Sequence, residues 1–291
     1  MILSRLKPAM TLDLVGVASA TVSTMALFTR ESPGAGNTFT PSVHTTGPWR
    51  PDAQHGGPPS ALLGYATEQI LEPDETIARI TIELVRPVPT ERLLINAQRT
   101  RSSRRVAGIN ATLVHDGGIV ARSAALVLRG SHLPKPRWSP ERDQAWAVPS
   151  PDSVIQPPSF VHGDGGITYH QHAVEHRMTH GGFGEAGPGT SWVSLLMPLI
   201  DGEETSGLCA LLAAADFGSE ISAVYESDDG VGLISADVSI ALARPPLGPW
   251  IRVESETTVG PGTGLGLAVA ELGDHLGPVG VATQSLLGIT F

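Results

Sequence analysis

Cysteine is nearly absent. Cys209 is the single one among 291 residues, so the chain forms no internal disulfide and offers no thiolate metal cluster. Charge is sparse too, at 16% of residues with a formal net charge of -10, against roughly 25% in an average soluble domain. With 41% hydrophobic residues, this is not an acidic disordered chain, which needs more charge and less apolar content. There is no run of lysine and arginine to track a phosphate backbone, which argues against nucleic-acid binding. Nor do about 18 strongly apolar residues run uninterrupted, so no membrane span is expected. Signature loops are missing as well: no GxSxG elbow, no GxxxxGK[ST], and GPGTGLG at 260–266 lacks the GxGxxG spacing and reads as a hairpin turn. No cofactor and no metal site is expected.

What the chain has in quantity is 33 glycines and 24 prolines, the composition of many turns rather than long helices. Residues 1–34 read as an N-terminal extension. Arg5 and Lys7 precede a weakly apolar stretch in the manner of a secretion signal, but Asp13 interrupts it and Met25 opens a more ordinary start, so a cytoplasmic protein is expected. GGPPSALLGYATEQIL, from Gly56 to about Leu71, predicts a helix, because prolines in a first turn remove amides that lack intrahelical partners anyway. Extended segments follow at 78–86, 91–100, 106–115 and 118–130, predicting an antiparallel meander. Residues 131–161, rich in proline, read as a connector. Beyond it, ITYHQHAVEH and GTSWVSLLMPL predict strands, TSGLCALLAAADF a second helix, and four further segments another strand series.

The second half thus repeats the first. Arg86 in VRPVP lies 158 positions before Arg244 in ARPPL, and the turn acids Asp116 and Asp274 keep the same offset, while the strand beyond needs a one-residue shift. The economical reading is a duplicated unit of one helix and one antiparallel sheet, at 35–130 and 162–291. Paired side by side, each copy would protect a sheet edge of the other.

GPWRPDAQHGGPPSALL at 47–63, ITIELVRPVP at 80–89, AAADFGS at 213–219, SADVSIALARPPLGPW at 235–250 and GVATQSLLG at 280–288 together resemble the acyl-CoA thioesterase II (TesB-like) family over roughly 25–291. The resemblance implies an α+β double hotdog, two antiparallel β-sheets each wrapped around a central helix, with the active site between the halves. It implies hydrolysis of a medium- or long-chain acyl-CoA to fatty acid and CoA. It also implies catalytic residues that hold the attacking water: Asp216 from the second helix, Ser235 where the better-studied members have threonine, and Gln284 on the last strand. Serine keeps the donor and acceptor of threonine but lacks the methyl that restricts the rotamer.

The residues themselves fit that chemistry. Asp216 ends the apolar run LLAAADF, and a carboxylate there must be hydrated, paired or used. Amides of Gly56 and Gly57, at the start of the first helix, suit a developing oxyanion, since that end combines unpaired N–H groups with a favourable dipole. His55, just before them, can orient the substrate or a backbone group, or act as a base. Cys209 reads as a core side chain. His162, His170, His172, His176 and His180 crowd one stretch; were 170–176 a single strand, His170, His172 and His176 would share a face. Arg86, Arg104, Arg105 and Arg244 are candidates to meet the nucleotide of an acyl-CoA. A homo-oligomer of such chains is left open. The competing function is a non-catalytic acyl/CoA-binding hotdog or a dehydratase-like one, which would lack a convergent Asp216, Ser235 and Gln284.

Overall fold

The computed structural model describes residues 25–31, 37–131, 133–134, 137, 146–155, 166–226 and 229–290. Expectations for 1–24, for most of the connector and for His162 lie outside the described residues.

The first half runs β1 (Phe28–Arg30), β2 (Thr38–Pro41), α1 (Gly57–Glu68), β3 (Glu75–Leu84), β4 (Leu93–Ser102), β5 (Val106–His115) and β6 (Gly118–Arg129). The second runs α2 (Tyr169–His172), β7 (Val174–His180), β8 (Gly189–Leu195), α3 (Gly207–Ala215), β9 (Val231–Ser235), β10 (Asp237–Leu242), β11 (Trp250–Val259), β12 (Leu265–Asp274) and β13 (Gly277–Thr290). Part of the expected N-terminal extension belongs to the sheet: β1 pairs with β2, and Phe28 is fully buried beside Ile200.

Two antiparallel sheets able to cover each other's edges side by side were expected; they are joined in one continuous sheet, in the order β1-β2-β4-β5-β6-β3-β10-β13-β12-β11-β8-β7, with β9 alongside β13. Its join is the antiparallel pair β3·β10, where Thr81 faces Ser239, Ile80 faces Ile240 and Ile82 faces Val238. Thr81 and Ser239, 158 residues apart, share a 2.8 Å hydroxyl hydrogen bond, so the halves meet at residues that keep the offset of Arg86 and Arg244. The pairing covers two edges that would otherwise be exposed. It also corrects the expected meander: β3 pairs with β6 rather than β4, because its other side is taken by β10.

Alternating burial along β3, β5 and β11 puts one sheet face against the helices. Helix α1 packs on β4, β5 and β6, α3 on β8, β11 and β12, and the helices touch each other. Ten of the twelve residues of α1 are buried, as is every residue of α3 after Gly207. A helix apolar all round belongs in an interior. The start of α1 lies against the end of α3, where a Cβ on Gly57 would come within 2.6 Å of the Ala213 carbonyl oxygen, so only glycine permits this approach. The opposite ends meet through Glu68 and Ser206.

The strand expected over 167–176 is corrected. Tyr169–His172 forms a helical turn, with Tyr169 N–H bonded to the Thr46 carbonyl and its hydroxyl to that of Ala213 at 3.0 Å. Seating this ring beside His55 and Phe217 turns the backbone. His170 is consequently buried, His172 exposed, and His176 buried on β7, so the three histidines share no strand face.

Candidate active site

The start of α1 and the end of α3 form the floor of an open cleft of about 470 Å³, lined among others by His55, Gly56, Asp216, Ser235 and Arg86. A second cavity, of about 260 Å³, adjoins it at Trp49, Ser219, Glu220 and Leu233 and is walled by Phe183, Val224 and Tyr225.

Asp216 follows the last turn of α3, where the helix dipole repels a carboxylate. Its stabilisation therefore comes from elsewhere. The Gly56 N–H donates to it, Gln284 Nε2 lies 3.3 Å from Oδ1, and His55 Nδ1 lies 3.2 Å from Oδ2. Gly56 is required here, since a Cβ would overlap the carboxylate. Burial pushes the Asp216 carboxyl up, and Glu220 adds to that; His55, Gly56 and Gln284 offset it only in part.

Ser235 and Gln284 meet through a change of partner along β13. This strand pairs with β10 up to Thr283 and with β9 from Leu286 onward, and Ser235 ends β9. The Gln284 amide sits at the switch, 3.1 Å from Ser235 Oγ, and its oxygen accepts the Ser219 N–H. Ser235 donates its own proton to the Asp237 carbonyl. Gln284 is thus within direct hydrogen-bond reach of both other expected residues, Asp216 and Ser235. Asp216 and Ser235 face the cleft, whereas Gln284, 2% exposed, bridges them from behind.

Sequence reasoning missed Glu220. It accepts from His55 Nε2 at 2.7 Å, and its place four residues after Asp216 in a mostly apolar stretch was the available signal. His55 is buried at the wall of the cleft, with Tyr169 and Phe217 against its ring. Burial alone would push the imidazole down, but the Glu220 charge and hydrogen bond, with Asp216, outweigh it and hold His55 above the ordinary histidine value. Glu220 is correspondingly held low by His55 despite its burial. His176, buried and without such a carboxylate bond, is pushed down to about 3.

The expected oxyanion donors are engaged. Pro58 and Pro59 carry no N–H, which leaves Gly56 and Gly57 as the free amides at the start of α1. Gly56 N–H is on Asp216, and Gly57 N–H points at His55 Nδ1 at 3.1 Å. A neutral ring protonated on Nε2 accepts that Gly57 N–H; an imidazolium instead donates from Nδ1 to Asp216. Of the four expected arginines, Arg86 lines the cleft, while Arg244 is bound to Asp274. Cys209 is buried in α3 with its thiol pushed far up by burial, and among the described residues no cluster of three His, Cys, Asp or Glu could hold a metal.

The chain belongs to the acyl-CoA thioesterase family. The family's N-terminal domain profile matches residues 45–129 and its C-terminal domain profile residues 140–287. Similar solved structures include acyl-CoA thioesterase II TesB2 from Mycobacterium marinum, 15% identical with a TM-score of 0.60 over 91% of this chain and 95% of that one. A tesB protein from Mycobacterium avium subs. paratuberculosis is 12% identical, with a TM-score of 0.60 over 87% and 93%. A hot dog fold protein from Alicyclobacillus acidocaldarius is 16% identical, with a TM-score of 0.63 over 88% and 95%. At these identities the likeness is one of fold, the hotdog fold of thioesterases. No curated protein matches the chain by sequence. No helix among the described residues is long and apolar enough to cross a membrane.

Proposed function

We propose that the protein hydrolyses medium- or long-chain acyl-CoA thioesters with a water activated by Asp216. One observation carries this reading: Asp216 and Ser235, joined through Gln284, face a single cleft beside the uncapped start of α1. Water stands between the two cleft-facing groups and gives its proton to Asp216, a stronger base than an ordinary aspartate because burial raises it. The water oxygen bonds to the thioester carbon, and the tetrahedral intermediate expels the thiolate, which takes the proton back. Gln284 acts as a positioning residue for Asp216 and Ser235.

His55 decides whether Gly57 can serve the oxyanion. With Nδ1 protonated toward Asp216, the Gly57 N–H loses its acceptor and is released for the thioester oxygen, next to the positive end of α1. The acyl chain occupies the cavity walled by Phe183, Val224 and Tyr225, and the pantetheine arm the cleft.

Steady-state hydrolysis of an acyl-CoA series tests the activity, and Asp216→Asn tests the mechanism. The variant is expected to lose at least about 10²-fold in kcat with an unchanged melting temperature. A folded Asp216→Asn protein with wild-type turnover would sink the assigned role, and a wild type inactive on every chain length would sink the activity.

A further inference from the structure

The duplication gives each half an arginine in the same backbone setting. Arg244 donates Nε to the Pro278 carbonyl at 3.2 Å, and its two terminal nitrogens grip Asp274 Oδ2 and Oδ1, both at 2.6 Å. Arg86, 158 positions earlier, likewise donates Nε to the carbonyl at the start of the hairpin's second strand, that of Ile119, at 3.1 Å. There the likeness ends.

Asp116 and Asp274, matched by offset, are not equivalent in space. Asp274 is the last residue of β12 and pairs with Gly277, whereas in the first copy His115 pairs with Gly118 and Asp116 is out in the loop. Asp116 has a φ of 47° and its side chain is 89% exposed, beside His115. Asp–Gly at this point makes the tight turn whose central residues both take positive φ. A histidine therefore stands where the other copy has its carboxylate. Among the described residues the Arg86 guanidinium has no carboxylate partner, and Arg86 lines the cleft that holds Asp216.

We infer that the Nη1–Nη2 fork of Arg86 is an oxyanion subsite of this cleft, filled by two oxygens of a phosphate on the substrate's carrier where the second copy uses its own Asp274. The identity of the carrier rests on the acyl-CoA reading above; the fork's chemistry does not. A planar guanidinium already fixed through Nε accepts a bidentate oxyanion in the geometry that Arg244 displays. Because the chain is acidic overall, a local cation matters more for recruiting a polyanion. The other source of the same chemistry is a carboxylate at the far end of a dicarboxylic acyl group.

The test compares wild type, Arg86→Gln and Arg86→Lys on an acyl-CoA, on the acyl-pantetheine of equal chain length, and on an acyl-pantetheine carrying a terminal carboxylate. The expected result for Arg86→Gln is a rise of about tenfold or more in KM for acyl-CoA at unchanged kcat, unaltered kinetics with plain acyl-pantetheine, and partial rescue by lysine. If the loss follows the terminal carboxylate instead, the oxyanion site stands and the phosphate assignment falls. Equal losses with all three substrates, or none with any, overturn the site. Calorimetric titration of free CoA and free pantetheine keeps this question apart from hydrolysis. Weaker CoA binding by Arg86→Gln, with both variants folded, supports the subsite even in a protein that cleaves no thioester.

Discussion

The two ends of the helix pair present the same elements with opposite outcomes. At one end, α3 starts under its own cap: Ser206 accepts the Cys209 N–H at 3.1 Å and donates to Glu68 at 2.6 Å. At the other, α1 starts at Gly56 with no side-chain cap, and its free amides go to Asp216 and His55. The arginines repeat the contrast, Arg244 closed on Asp274 and Arg86 open to the cleft. The start of α3 and Arg244 are met by protein side chains, whereas the start of α1 and Arg86 border the cleft. Since an unmet buried donor is costly, the open end persists only because side chains of the second copy, Asp216 foremost, complete it.

Exchanging features between the ends should break that contrast. Gly56→Ala places a methyl against the Asp216 carboxylate, and about 10²-fold in kcat should be lost, the effect of displacing a reacting group by about an ångström. Ser206→Ala removes only a cap and should cost about 1 kcal/mol of stability with kcat intact, read by thermal unfolding beside kinetics.

Next in size is Asp274→Asn. Burial pushes this carboxyl up, but Arg244 and the Leu247 and Leu276 N–H groups outweigh burial and hold it below the ordinary carboxylate range. Its contribution is therefore complete above the unfolded value of about 3.9 and lost as pH falls through the lower folded value. At neutral pH the substitution should cost about 2–3 kcal/mol. Asp116→Asn, at the matched but exposed position, should stay within about 0.5 kcal/mol. Equal melting temperatures for the two variants would show that the Arg244 pair contributes nothing the first copy lacks.

Glu220→Gln sharpens the account of the open end. It removes the charge that raises His55, so the imidazolium should be lost at lower pH. If the imidazolium releases Gly57, activity falls as pH rises through the His55 value, and that alkaline limb should move to lower pH in the variant. A pH–kcat profile with an unmoved limb would disprove the coupling. The smallest effect is expected of Ser235→Thr, which keeps the hydroxyl between Gln284 and Asp237; turnover should be retained or slightly improved.

Much of this arrangement was legible beforehand. Strand β5 coincides with the segment expected at 106–115, because alternation and flanking turns mark a half-buried strand unambiguously. Asp216, Ser235 and Gln284 were named through the family resemblance, and the contacts that link them through Gln284 could be read only in the fold. The turn at Tyr169–His172 was misread as strand because short apolar-polar runs do not separate helix from strand; the buried ring of Tyr169 decided the matter. Glu220 was overlooked because a glutamate in sequence carries no mark of the histidine it will meet 165 residues away.

The sequence by itself determined where most strands and both long helices lie and that Asp216 closes an apolar helix, since periodicity and local polarity are properties of neighbours along the chain. Only the tertiary structure decided that the two sheets merge at Thr81 and Ser239, that prolines and glycines at the start of α1 face the end of α3, and that Asp274 closes one arginine while Asp116 leaves the other open. A one-residue difference in hairpin register reverses where a side chain points, and no count of matching letters records that.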